Sequence, residues 1–159
     1  MKTASIIYCI ILVFVYVLVP KDVAISLGVQ NDCGVLNHIL YSLFHYNEMH
    51  LFLNIYVILS VVFFHNVNIF KFCFALIAAM LLPSEAALDS VCIGSSVFAY
   101  ALIGIEVMIS NEWKKFAYLN LFIISIGTLF NNIAVLPHFW GFGCGCLYGI
   151  LTAKRYGGK

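Results

Sequence analysis

Apolar runs alternate with short polar breaks along this chain, and six such runs stand out. They cover roughly residues 4–19, 39–64, 67–82, 96–110, 116–130 and 137–153. The breaks fall at Pro20-Lys21-Asp22, His65-Asn66, Pro83-Ser84-Glu85, Asn111-Glu112-Trp113-Lys114-Lys115 and Asn131-Asn132. Within a run the apolar residues occupy every face rather than alternate positions. That pattern predicts helices and argues against a spanning β-barrel, whose strands alternate apolar with polar residues. The short breaks predict that consecutive helices are close antiparallel neighbours. Several runs are nearer 15 residues than the ~20 of an ordinary spanning helix, which suits a thin or locally thinned bilayer.

Composition turns this pattern into a statement about solvent. Of 159 residues, 64% are hydrophobic and only 9% are charged, whereas roughly a quarter of the residues of an ordinary soluble domain are charged. Lipid is therefore the expected surrounding for most of the chain, arranged as one all-α domain, a polytopic bundle of six transmembrane helices over residues 1–159. The net charge of +1 gives no sign of a nucleic-acid partner. Lys2 ahead of the first run also resembles a secretory leader, with Ala24-Ile25-Ser26 as a cleavage site. That run is long for a leader, however, and the site lies well beyond its end.

Charge placement sets an orientation. With the N-terminus in the cytoplasm, the inner segments hold Lys2, Lys71, Lys114, Lys115, Lys154, Arg155 and Lys159, leaving Lys21 alone of the basic residues outside. Asp22, Asp32, Glu48, Glu85 and Asp89 fall in the outer loops and helix mouths. This positive-inside bias predicts both termini in the cytoplasm; the expected location is a bacterial-type cell membrane. The second, fourth and sixth helices then all begin at the outer face.

Ionisable or strongly polar groups at membrane depth are costly, and each is a candidate for function. His50, Asn54, Ser96 and His138 stand at one level, near the outer ends of those three helices. A single one of them reads as a polar group satisfied within the bundle; four at one level do not. His50 and Asn54 are four apart and share a helix face. Ser96 opens the fourth helix after Gly94-Ser95, and His138 opens the sixth after Pro137, a good helix-starting residue. His138, Gly141, Gly145 and Gly149 form one stripe on the sixth helix, and Ser96, Tyr100 and Gly104 form one on the fourth. Small residues at such spacing let helix backbones approach closely in lipid. Packing the two stripes together would bring the Ser96 hydroxyl to about 3 Å from the His138 ring.

Three segments carry a resemblance. His45-Tyr46-Asn47-Glu48-Met49-His50-Leu51-Phe52-Leu53-Asn54 contains an H-x-x-x-N element. Gly94-Ser95-Ser96-Val97 is close to G-x-S-G, and His138-Phe139-Trp140-Gly141-Phe142-Gly143-Cys144-Gly145 fits H-x-x-G-x-x-x-G. In this order the chain resembles the rhomboid family of intramembrane serine proteases, over roughly residues 41–149. The resemblance implies Ser96 as nucleophile and His138 as general base. It implies His50, Asn54 and the Ser96 backbone N–H as the oxyanion site, with Tyr100 packed against the histidine and Gly94, Gly141 and Gly145 in support. It also implies that the helix over 116–130 is a gate admitting transmembrane protein substrates sideways, and that no cofactor is used. Two positions depart from the family pattern. Val97 replaces the motif's last glycine, setting a larger side chain beside the oxyanion site, and the first outer loop is short and lacks a Trp-Arg pair.

The expected chemistry is peptide hydrolysis by a dyad. Glu106 lies ten residues beyond Ser96, roughly 15 Å deeper at 1.5 Å per residue, too far to orient His138. It reads as a snorkelling charge near the cytoplasmic end. The chain has no H-E-x-x-H, and His45 and His50, five apart on one helix, would point to different faces, so no metal site is expected. All three aspartates fall in loops, which excludes an intramembrane aspartyl pair. Cys144 and Cys146 read as small apolar packing residues, while Cys33 and Cys92 share the outer side, where a disulfide is open to them. The rival reading is a catalytically inactive rhomboid-like protein that binds transmembrane helices.

Overall fold

The computed structural model of the chain describes residues 1–87, 90–109 and 135–156. The described residues are helical apart from loops and one isolated antiparallel bridge between Val29 and Cys92. In chain order the helices are α1 (Lys2–Leu18), α2 (Lys21–Ser26), α3 (Val35–Leu40), α4 (Glu48–Phe64), α5 (Ile69–Met80), α6 (Ser96–Ile109) and α7 (Val135–Tyr156). Short 3-10 turns occupy Tyr41–Leu43 and Ser84–Ala87. Asparagines start two of the helices. Asn47 accepts a hydrogen bond from the His50 N–H at 2.8 Å, and Asn68 accepts one from the Lys71 N–H at 3.0 Å. Each satisfies a donor that the first turn leaves unpaired. Pro137 sits in the first turn of α7, where its missing N–H forfeits no helical bond. The expected helix over 116–130 lies outside the described residues.

The run 39–64, expected as one helix, is divided. Its first part belongs to α3 and the Tyr41–Leu43 turn, its second is α4, and the two are bent by 87°. Phe44 is extended at φ −96° and ψ 154°, and Asn47 is extended as it caps α4. The buried Tyr41 holds the corner, donating its hydroxyl to the Ala79 carbonyl at 2.9 Å. His45 therefore precedes α4 rather than riding on it, so the helix-face argument applied to His45 and His50 does not hold. Their rings meet edge to face, 5.1 Å apart between centroids.

Side-chain contacts fix the direction of each long helix. His50, near the start of α4, lies against Gly94 just before α6, and His65, just past the end of α4, reaches Glu106 near the end of α6. Trp140 in the first turns of α7 donates to the Ala78 carbonyl near the end of α5. Lys2 sits over the Phe63 ring, while Val15 and Val19 pack beside Phe44 and Ala24. Helices α4, α6 and α7 thus start at one end of the molecule, and α1 and α5 finish there. The central element is α6. Val97, Phe98, Ala101, Leu102 and Ile105 are all fully enclosed, at 0% exposure. By contrast α1 buries only Ser5, Cys9 and Leu12, one narrow stripe. Its outward residues include Phe14 and Val17, 61% and 72% exposed, and Phe64 and Phe70 on α4 and α5 are exposed too. No single described helix is long and apolar enough to cross a membrane by itself; the bent pair joining 35–43 to α4 meets that length and composition together.

Candidate active site

The site is built where α6 and α7 begin. Gly94 has φ +127°, a conformation open to glycine but strained for residues bearing a Cβ. The His50 ring lies over it, so that a Cβ on Gly94 would come within 2.6 Å of His50 Cε1. The Gly94 N–H donates to the Tyr41 carbonyl at 3.0 Å. This turn delivers Ser96 to the first position of α6, half-exposed, with its backbone N–H among the orphan donors of a helix start.

His138 Nε2 and Ser96 Oγ are 2.9 Å apart, although 42 residues separate them in sequence. They meet because α6 and α7 run parallel and nearly touch. A Cβ on Gly141 would collide with the Val97 carbonyl, one on Gly145 with the Ala101 carbonyl, and one on Gly149 with Met108 Cβ at 2.6 Å. From α6, Gly104 answers with a site whose Cβ would stand 2.9 Å from the Cys146 nitrogen. The seam on α6 is therefore Val97, Ala101, Gly104 and Ile105, rather than the row of Ser96, Tyr100 and Gly104 alone. Tyr100 lies beside that seam and stacks on the His138 ring, with centroids 4.7 Å apart and planes inclined at 30°.

The two expected oxyanion residues differ in their surroundings. His50 is at the turn before Ser96, on Gly94. Asn54 is buried one turn further along α4, and its amide donates to the His50 carbonyl at 2.9 Å. That uses one of its two N–H groups and leaves the second. Val97, the departure from the motif, is fully enclosed, with Cγ1 turned to Gly141 in the helix seam.

Two relationships escaped the sequence reading. Ser95 is paired with His45, whose Nε2 lies 3.2 Å from the Ser95 hydroxyl and 3.4 Å from the Ser95 nitrogen, both residues being buried. The adjacent serines and the first histidine of the α4 segment were visible, but placing His45 on a helix hid the pairing. Glu106 is not a snorkelling charge. It is buried, holds Lys71 Nζ at 2.7 Å, and lies 3.8 Å from His65 Nδ1. Cys33 and Cys92 are both free thiols, with no disulfide between them. Cys33 instead contacts His38 at 3.4 Å, and burial pushes the Cys92 thiol up to about 12. Among the described residues, no group of three or more His, Cys, Asp or Glu is placed to hold a metal. Neither a protein-family model nor a curated relative matches the sequence.

Proposed function

We propose that the protein is a membrane-embedded serine endopeptidase of rhomboid type, cleaving transmembrane substrates near the ends that lie level with Ser96. The observation that carries this reading is the 2.9 Å pair of Ser96 Oγ and His138 Nε2 at the mouths of two tightly seamed parallel helices. A serine hydroxyl becomes a nucleophile when an adjacent base accepts its proton. As acceptor, Nε2 of His138 is unprotonated, so the neutral ring carries its proton on Nδ1. In the first step Nε2 takes the Ser96 proton while Oγ bonds to the substrate carbonyl carbon. The carbonyl electrons become an oxyanion, facing the Ser96 N–H and the His50 and Asn54 side chains. The imidazolium then returns the proton to the departing amine as the C–N bond breaks. Water, deprotonated by the same ring, releases the acyl group from Ser96. The Tyr100 face against His138 supplies the orientation that a third, acidic residue gives in a triad.

Lipid surroundings are supported by the exterior. Phe14, Val17, Tyr56, Phe64, Phe70 and Leu147 are all more than half exposed, and a soluble monomer rarely leaves so continuous an apolar surface in water. The 17 residues of α1 and of α4 reach about 26 Å at 1.5 Å per residue, a fit to a thin hydrocarbon layer. The charge bias of the sequence supports an orientation with the Ser96 end outside the cytoplasm. The test is labelling of the detergent-purified protein with a serine-reactive fluorophosphonate. The reading requires labelling of wild type and none of Ser96→Ala; wild type that stays unlabelled contradicts it.

A further inference from the structure

We infer that His45 is a positioning residue, which fixes the turn before Ser96 through Ser95 and so sets the aim of the nucleophile without touching substrate. The inference rests on the hydrolase reading of Ser96 and His138. Two serines stand side by side, each on its own histidine, but the pairs are unlike. Ser96 and His138 are partly exposed, whereas Ser95 is 0% and His45 2% exposed. A serine sealed to that degree cannot reach a substrate carbonyl, so the inner pair is no second dyad.

Its geometry suits anchoring. Both the N–H and the hydroxyl of Ser95 lie at the same ring nitrogen, His45 Nε2. A backbone N–H only donates, so Nε2 is an acceptor and the neutral ring is the Nδ1–H tautomer. The peptide unit joining Ser95 to Ser96 carries the Ser96 N–H, which is the backbone donor offered to the oxyanion. That unit is tied on its helix side by the Ala99 N–H, which donates to the Ser95 carbonyl at 2.9 Å. On the other side, three contacts run from one short segment to the other: the Tyr41 carbonyl to Gly94 N–H, His45 to Ser95, and the Tyr46 hydroxyl to the Val91 carbonyl. This clasp explains the 87° break before α4. The Tyr41 carbonyl accepts both the Phe44 N–H of its own turn, at 3.2 Å, and the Gly94 N–H, and a helix continuous through 39–64 could not lay His45 along the turn. His45 also meets the His50 ring edge to face, backing the group that covers Gly94.

The test uses the full chain in detergent, with Ser95→Ala, His45→Leu, His45→Gln and the Ser95→Ala/His45→Leu double variant. Four quantities are read: thermal unfolding, the rate of fluorophosphonate labelling at Ser96, and kcat and KM on a transmembrane reporter. Ser95→Ala removes a single oxygen, so it reports even if His45→Leu fails to fold. It should lower labelling rate and kcat about tenfold, with KM within about twofold, since small misplacement of reacting groups slows chemistry more than binding. The double variant should be no slower than His45→Leu, because the two residues act as one unit. Glutamine, whose carbonyl can stand where Nε2 does, should recover most of the rate. Folded Ser95→Ala and His45→Leu that label as fast as wild type overturn the inference. So does a loss that glutamine leaves unrepaired or that simply follows the unfolding temperature. Wild type that never labels removes the hydrolase reading, and this inference falls with it; a labelled wild type with indifferent variants removes the inference alone.

Discussion

Gly145 of α7 passes Ala101 of α6 with no room between them: a methyl group on Gly145 would strike the Ala101 carbonyl and stand 3.0 Å from the Ile105 nitrogen. Gly143, two residues earlier on the same helix, faces open space, with nothing within 4 Å of where its Cβ would be. One helix thus carries a position that aligns the site and a position that does not.

Gly145→Leu should therefore inactivate the protein, although residue 145 lies two turns from His138. Forcing the seam apart separates Ser96 from His138, and about 1 Å of misplacement between reacting groups costs on the order of 10²-fold in rate. Gly143→Leu should retain most activity. Reporter cleavage together with thermal unfolding reads both; a fully active Gly145→Leu would mean that the seam does not set the alignment.

The ion pair at the far end of α6 gives a stability prediction. Lys71→Met takes the 2.7 Å ammonium from the buried Glu106 carboxylate and leaves it His65 at 3.8 Å, and breaking a buried pair costs up to about 3–5 kcal/mol. Replacing both residues, as Lys71→Met with Glu106→Leu, should recover most of that loss, because no buried charge is left uncompensated. Denaturant unfolding measures the cycle. A Lys71→Met protein as stable as wild type would show that the carboxylate is not enclosed as described.

His50→Ala and Asn54→Ala should both slow turnover while Ser96 remains open to labelling. Loss of one oxyanion donor typically costs roughly 10²–10³ in rate. His50 should be the more severe, since Asn54 already gives one N–H to the His50 carbonyl. Wild-type turnover in both variants would remove the oxyanion assignment and leave the dyad standing.

Orientation is open to cysteine-accessibility mapping. Glu85→Cys should react with an impermeant thiol reagent from outside, and Lys114→Cys only after the membrane is opened. The reverse pattern would set Ser96 and His138 at the cytoplasmic face and demand substrates of the opposite geometry.

The sequence reading worked where spacing carries information. His138 and the glycines at 141, 145 and 149 repeat at helical intervals, as do Ser96, Tyr100 and Gly104, and that periodicity was enough to bring two remote helices together. It did not work where runs are apolar on every side. Such runs do not say which helix is central, so the enclosure of α6 was invisible, and with it the burial of Glu106. Its partner Lys71 stands 35 residues away and reads locally as a loop charge. The break at Phe44-His45 was hidden for a different reason. Those residues are as aromatic as their neighbours, and the signal that mattered was Asn47, whose role as a helix cap was passed over within an apolar run.

The central claim is that Ser96 and His138 form a working dyad, and the most direct measurement is cleavage of a transmembrane reporter by the purified protein and its variants. Wild type should cut it. Ser96→Ala and His138→Ala should each abolish cleavage, and the double variant should be no worse than either, because members of one catalytic unit are strongly non-additive. Substantial cleavage by purified Ser96→Ala would contradict the account.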